Sequence, residues 1–275
     1  MAAPLQILLR KFRNLSDRVA FNIGSYRPNL SGQIDPDLLV AQAVSYFSIP
    51  LREAEEQYHL YRAFSIQNAY AQKLGESRTL SFEEAFLIYL SAWCLRPAQV
   101  VEIGTQFGKS TRRIVDILFL LSLNSQVTCF DILDEIKYVT HDEVRLVIHD
   151  VTQDFHDIVL RKIKPGLIFL DTRPYHLLKN VITAYLEWSL IHPCILAIHD
   201  CSPGLYNPNM WISRSRLDGV SSRTGVWERH VLSEIFGVAN EKLDDSYSAN
   251  HHLRIFHTQH GLALISPNNA FQRNL

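Results

Sequence analysis

The stretch Val100-Val101-Glu102-Ile103-Gly104-Thr105-Gln106-Phe107-Gly108-Lys109-Ser110-Thr111 decides the fold. An apolar, β-branched run carries a carboxylate near its end, two glycines bracket a three-residue turn, and a helical pattern opens at Lys109. Glycine permits backbone approach where a Cβ would collide, and a helix N-terminus presents unpaired N–H groups. The same rhythm then repeats. Short runs apolar on both faces, as in strands covered by helices on each side, fall at Gln99–Ile103, Gln126–Phe130, Val144–Ile148, Leu167–Leu170 and Cys194–Ile198. Helical patterns separate them, notably Lys109–Leu123 and His176–Leu190. Such alternation predicts βαβ units and an α/β, doubly wound (Rossmann-like), mostly parallel sheet. Leu253–Thr258 and Leu262–Ser266 around Gln259–Gly261 predict a C-terminal β-hairpin at one edge.

Upstream, the pattern is helical. Leu60, Ala63, Ile66, Tyr70 and Leu74 recur at helical spacing before Gly75. Ser81-Phe82-Glu83-Glu84 matches a capping box, and Phe82, Phe86, Tyr89, Leu90 and Trp93 continue that helix to a stop at Pro97. Residues 1–80 are therefore expected as an N-terminal helical lid or dimerisation segment, with the α/β domain spanning 81–275.

Composition restricts the function classes. With 275 residues, 47% of them hydrophobic, the chain can bury a full core. Lys+Arg 27 against Asp+Glu 28, with no long run of one sign, gives no electrostatic grip on nucleic acid or an acidic membrane. No apolar run approaches the roughly 20 residues of a membrane-spanning helix. Cys94, Cys129, Cys194 and Cys201 have no metal or redox spacing. No secretory signal pattern is read at the N-terminus, so a cytoplasmic protein is expected.

Three ligands compete for the turn after Ile103. A phosphate-binding loop needs four residues between its first glycine and Gly-Lys-Ser/Thr, and here Gly104 and Gly108 enclose three. A nicotinamide dinucleotide site wants G-x-G-x-x-G, and Gln106 stands at the middle glycine. The third is S-adenosylmethionine, whose ammonium and sulfonium suit a carboxylate such as Glu102.

On these residues the chain resembles the class I S-adenosylmethionine-dependent methyltransferases. The form E-I-G-x-x-x-G-x-S-T is similar to small-molecule O-methyltransferases, including cephalosporin-hydroxylase-like and macrolide-modifying ones. The resemblance runs from about Ser81 to the C-terminus. It implies a cofactor site of Glu102, Gly104, Thr105, Gly108 and Ser110, with Asp131 at the ribose hydroxyls and Asp150 near the adenine. Asp131 also reads as an ordinary strand-end acid, and Asp150 equally as a cap for the segment after it.

Chemistry is expected where strands four and five end. Leu170-Asp171-Thr172-Arg173-Pro174-Tyr175-His176 follows the first and Ala197-Ile198-His199-Asp200 the second. By resemblance Asp171 lies beside the acceptor, and Asp171 and Asp200 match the magnesium positions of metal-dependent members, with His199 where a further oxygen ligand is wanted. Without a metal, His199 or His176 is the candidate general base, set against a hydrogen-bonded structural role for each. Tyr206, Trp211 and Trp227 offer aromatic area, and Arg214 and Arg216 positive charge, in segments that could close over a pocket. For Trp227, packing is the favoured reading. Methyl transfer to a small-molecule hydroxyl, of a secondary metabolite or sugar, is expected, with a homodimer allowed. A nucleotide hydrolase or kinase and a non-catalytic cofactor-binding interaction protein are the alternatives.

Overall fold

In the computed structural model, the described residues are 34–68, 80–172, 174–203 and 227–271. The expected helical positions Tyr70, Leu74 and Gly75 lie outside them, as do Arg173, Tyr206, Trp211, Arg214 and Arg216. The elements are α1 (Pro36–Phe47), α2 (Leu51–Gln67), α3 (Phe82–Leu95), β1 (Gln99–Ile103), α4 (Lys109–Leu120), β2 (Gln126–Asp131), β3 (Arg145–Ile148), β4 (Leu167–Leu170), α5 (Tyr175–Trp188), β5 (Ile195–Ile198), α6 (Glu228–Phe236), β6 (Asp245–Tyr247), β7 (His251–Phe256) and β8 (Leu262–Pro267).

Among the described residues the strands form one eight-stranded sheet in the order β3-β2-β1-β4-β5-β8-β7-β6. From β3 to β5 every pairing is parallel, and from β5 to β6 every pairing is antiparallel. The hairpin is thus not an outer appendage. Its second strand, β8, pairs directly with β5, and the short β6 forms the edge. Val100, Phe169 and Ala197 face one apolar layer, with α1 to α4 packed over it. Val101, Ile168 and Leu196 face the other, under α5 and α6. The strands are buried on both faces because helices cover both.

Local chemistry sets the element ends. Ser81 Oγ accepts from Glu84 N at 3.2 Å while Glu84 Oε2 accepts from Ser81 N at 2.7 Å, completing the capping box at α3. That helix stops at Leu95, with Arg96 left-handed before Pro97. The apolar face expected on α2 is wrong: Leu60, Ala63 and Ile66 are exposed. The buried residues are Ala54, Tyr58 and Tyr61, whose rings pack on Phe82, Phe86 and Tyr89 of α3. Amphipathic tyrosines rather than leucines form the seam, because the phenol body packs while its hydroxyl stays satisfied. Trp227 is fully buried against Tyr175, in keeping with packing. Cys94, Cys129, Cys194 and Cys201 are free thiols, and among the described residues no helix is long and apolar enough to cross a membrane.

Candidate active site

The C-terminal ends of the parallel strands form one row, held in register by backbone bonds that continue past the strands. Gly104 N donates to Phe130 O, Asp171 N to Ile103 O and His199 N to Leu170 O, at 2.9, 3.0 and 3.0 Å. Asp131, Gly104, Asp171 and His199 therefore stand side by side on one sheet edge. Chain order reverses between β1 and β4, since β1 is followed in space by β2 on one side and β4 on the other. Open α/β sheets bind ligands in the crevice at such a switch point.

Both glycines of the turn are required by the backbone. Gly104 has φ +91°, and a Cβ there would stand 1.9 Å from the Asp171 carbonyl oxygen. The close neighbour that excludes a side chain is thus the β4 end. Gly108 caps α4 at φ +79°, and its N–H donates to Thr105 O at 2.9 Å. Between them Gln106 takes φ +50° and donates its N–H to Asp131 Oδ2 at 2.6 Å. Asp131 Oδ1 accepts from Ile132 N at 2.7 Å. The β2 carboxylate thereby fixes the turn after β1 and keeps a lone pair on Oδ2. Thr105 is buried there, with its hydroxyl beside the buried Cys129 thiol. The half-buried Asp131 carboxylate at the strand end fits a polar ligand bearing hydroxyl or amino groups.

Glu102, expected as the counter-charge to a cationic cofactor, lies behind the turn. It is fully buried, and its two oxygens accept hydrogen bonds from the Ser110 and Thr111 hydroxyls. Side-chain alternation turns it toward α4, so Glu102 and Ser110 brace the strand–turn–helix from behind. Burial drives its carboxyl pKa up to about 7; the two hydroxyls oppose the rise and the nearby Asp171 adds to it.

At the β4 and β5 ends three carboxylates surround one imidazole. His199 is buried, with Nδ1 3.6 Å from Asp171 Oδ2 and 3.5 Å from Asp200 Oδ1, while Nε2 lies 3.3 Å from Glu84 Oε2. Burial works against a charged ring, but Asp200, Asp171 and Glu84 outweigh it and hold the pKa of His199 well above the usual histidine range. Glu84 is likewise desolvated, yet His199 and His260 hold it well below the usual carboxylate range. Asp200 takes φ +62°, a left-handed conformation tolerated by aspartate and frequent where function fixes geometry.

Asp171 and Asp200 thus converge as the sequence implies, but around His199. Magnesium prefers an all-oxygen octahedron. With an imidazole nitrogen standing between the two carboxylates, the donor set does not fit it. His176 is exposed on the first turn of α5, apart from this cluster. Asp150 is exposed too, and its Oδ1 accepts from Thr152 N at 3.0 Å, so it caps the turn that follows β3. Two members of the cluster escape sequence reasoning. Glu84 reads as a helix cap and His260 as a turn residue; only the tertiary fold joins them to His199.

Fold and site together define a doubly wound α/β protein with a carboxylate- and imidazole-lined ligand edge. No protein-family model matches the chain, and no curated protein matches it in sequence. Among solved structures it is similar to an SAH-bound methyltransferase of Podospora anserina, at TM-score 0.47 and 12% identity over 86% of this chain and 99% of that one. An O-methyltransferase of Streptomyces achromogenes involved in tomaymycin synthesis, in complex with SAM, is similar at TM-score 0.45 and 13% identity over 78% and 97%. An O-methyltransferase from Bacillus cereus in complex with SAH is similar at TM-score 0.43 and 15% identity over 76% and 91%.

Proposed function

We propose that the chain is an S-adenosylmethionine-dependent methyltransferase acting on a hydroxyl of a small molecule. The observation that carries this reading is the switch-point crevice itself, with Asp131 clamping the glycine-bracketed turn on one side and Asp171 on the other. When bound, the cofactor supplies a methyl group already activated on a sulfonium.

The chain's own residues then bind, orient and accept a proton. Asp131 Oδ2 and the Thr105 hydroxyl meet the ribose, Gly104 and Gly108 keep the turn open to the nucleoside, and Asp150 borders the adenine end. Glu102, with Ser110, supplies negative potential from behind the turn. Asp171 is half-exposed and would receive the acceptor hydroxyl's proton, the cofactor supplying the methyl group and being left as S-adenosylhomocysteine. His199 steadies Asp171 through its Nδ1 edge. We assign an α/β domain over 81–275 with a helical addition at 1–80, in a cytoplasmic enzyme.

Incubation with methyl-labelled S-adenosylmethionine and a panel of sugar and secondary-metabolite hydroxyls tests the reading. Labelled product is expected, and Asp171→Ala is expected to lower turnover roughly 10²–10⁴-fold with cofactor affinity retained. Product yields unmoved by that substitution would place the chemistry elsewhere.

A further inference from the structure

We propose that Glu84 Oε2, His199 Nε2 and His260 Nδ1 form a site for a divalent ion of the zinc class, on the side of His199 turned away from Asp171 and Asp200. The proposal does not rest on the methyl-transfer reading.

The three donor atoms come from the start of α3, the end of β5 and the β7–β8 turn, and lie within 4.8 Å of one another. Both imidazole nitrogens stand 3.3 Å from the same oxygen, Glu84 Oε2. Charge-assisted N–H···O bonds ordinarily close to about 2.7–2.9 Å. A tetrahedral ion with bonds near 2.0–2.1 Å instead holds neighbouring donors about 3.3–3.4 Å apart. Two of the three separations are thus those of ligands around an ion, and the third is within 4.8 Å.

Each donor is also held as a metal ligand needs to be. Glu84 Oε1 accepts from the Thr258 hydroxyl and from His260 N, both at 2.8 Å, so the carboxylate is fixed independently of the rings. His260 is fixed through its backbone, since Ser202 N donates to its carbonyl at 2.8 Å. Gly261 follows at φ +81°, where a Cβ would stand 2.1 Å from Ser202 N. His199 is fixed through its backbone, since its N–H donates to Leu170 O at 3.0 Å, and its Nδ1 faces Asp171 and Asp200 at 3.6 and 3.5 Å. Two imidazoles and one carboxylate suit zinc, cobalt or ferrous iron rather than magnesium or calcium, and three protein ligands leave a fourth position open. On binding, the ion takes the place of the proton each imidazole directs at Glu84.

Cobalt is the probe. The full chain, stripped with EDTA and titrated with Co²⁺, is expected to take up one equivalent with visible ligand-field bands that one equivalent of Zn²⁺ abolishes. His260→Gln should weaken uptake at least tenfold, while His141→Gln, at an exposed histidine outside the cluster, should keep the same bands. His260→Cys, which retains a donor atom at that position, should add a sulfur-to-cobalt charge-transfer band. Absence of stoichiometric uptake, an unchanged spectrum in His260→Gln, or loss of the bands in His141→Gln alone would overturn the assignment.

Discussion

Glu102 is a carboxylate whose bonding partners are hydroxyls rather than cations, and its raised pKa makes it a measurable probe of the turn. The folded chain binds its proton more tightly than the unfolded chain does. Between about pH 4.5 and about pH 7 the native state therefore carries more protons, and stability falls as pH rises. Above that window the ionised form is disfavoured by up to about 3 kcal/mol, on the scale of 1.36 kcal/mol per unit. Glu102→Gln should accordingly be stabilised relative to the parent at pH 8, by roughly 1–3 kcal/mol, and by little at pH 5. Denaturant unfolding at the two pH values checks this; an equal difference at both would remove the account of Glu102. A cationic ligand at the turn should lower that pKa, so cofactor binding near pH 7 should release a proton, measurable calorimetrically in buffers of different ionisation enthalpy.

The elements were legible wherever the pattern was local. β1, β4 and the capping box at Ser81 follow directly from residue order, because each is decided by neighbours within a few positions. The buried face of α2 was not, since tyrosines displaced the leucines that periodicity favours. The Glu84–His199–His260 cluster was not legible either. Its members lie 115 and 176 positions from Glu84, and only the packing of β8 against β5 joins them. Gly104 belongs to this scale as well. Gly104→Ala pushes a methyl into the Asp171 backbone and strains a positive φ, so a loss of about 2–4 kcal/mol is expected in thermal unfolding. Ser81→Ala removes half of the capping box and should cost about 1 kcal/mol. A Gly104→Ala protein as stable as the parent would mean that the β1 turn can move away from β4.

For the molecule as a whole, the parallel half of the sheet positions ligand chemistry and the antiparallel half positions His260. Both halves meet at β5, whose last residues precede His199 and Asp200. Helices on each face leave the C-terminal strand ends as the place where Asp171 and Asp200 gather around His199. A ligand bound at 100 times its Kd should stabilise the native state by about 2.7 kcal/mol, so cofactor engagement has a thermal signature as well as a calorimetric one. The central claim is that the crevice between β1 and β4 takes S-adenosylmethionine. Calorimetric titration of the full chain, in parallel with ATP and magnesium, tests it most directly. The account predicts one S-adenosylmethionine per chain, weakened at least tenfold by Asp131→Ala; binding of ATP alone, or S-adenosylmethionine affinity indifferent to Asp131, would contradict it.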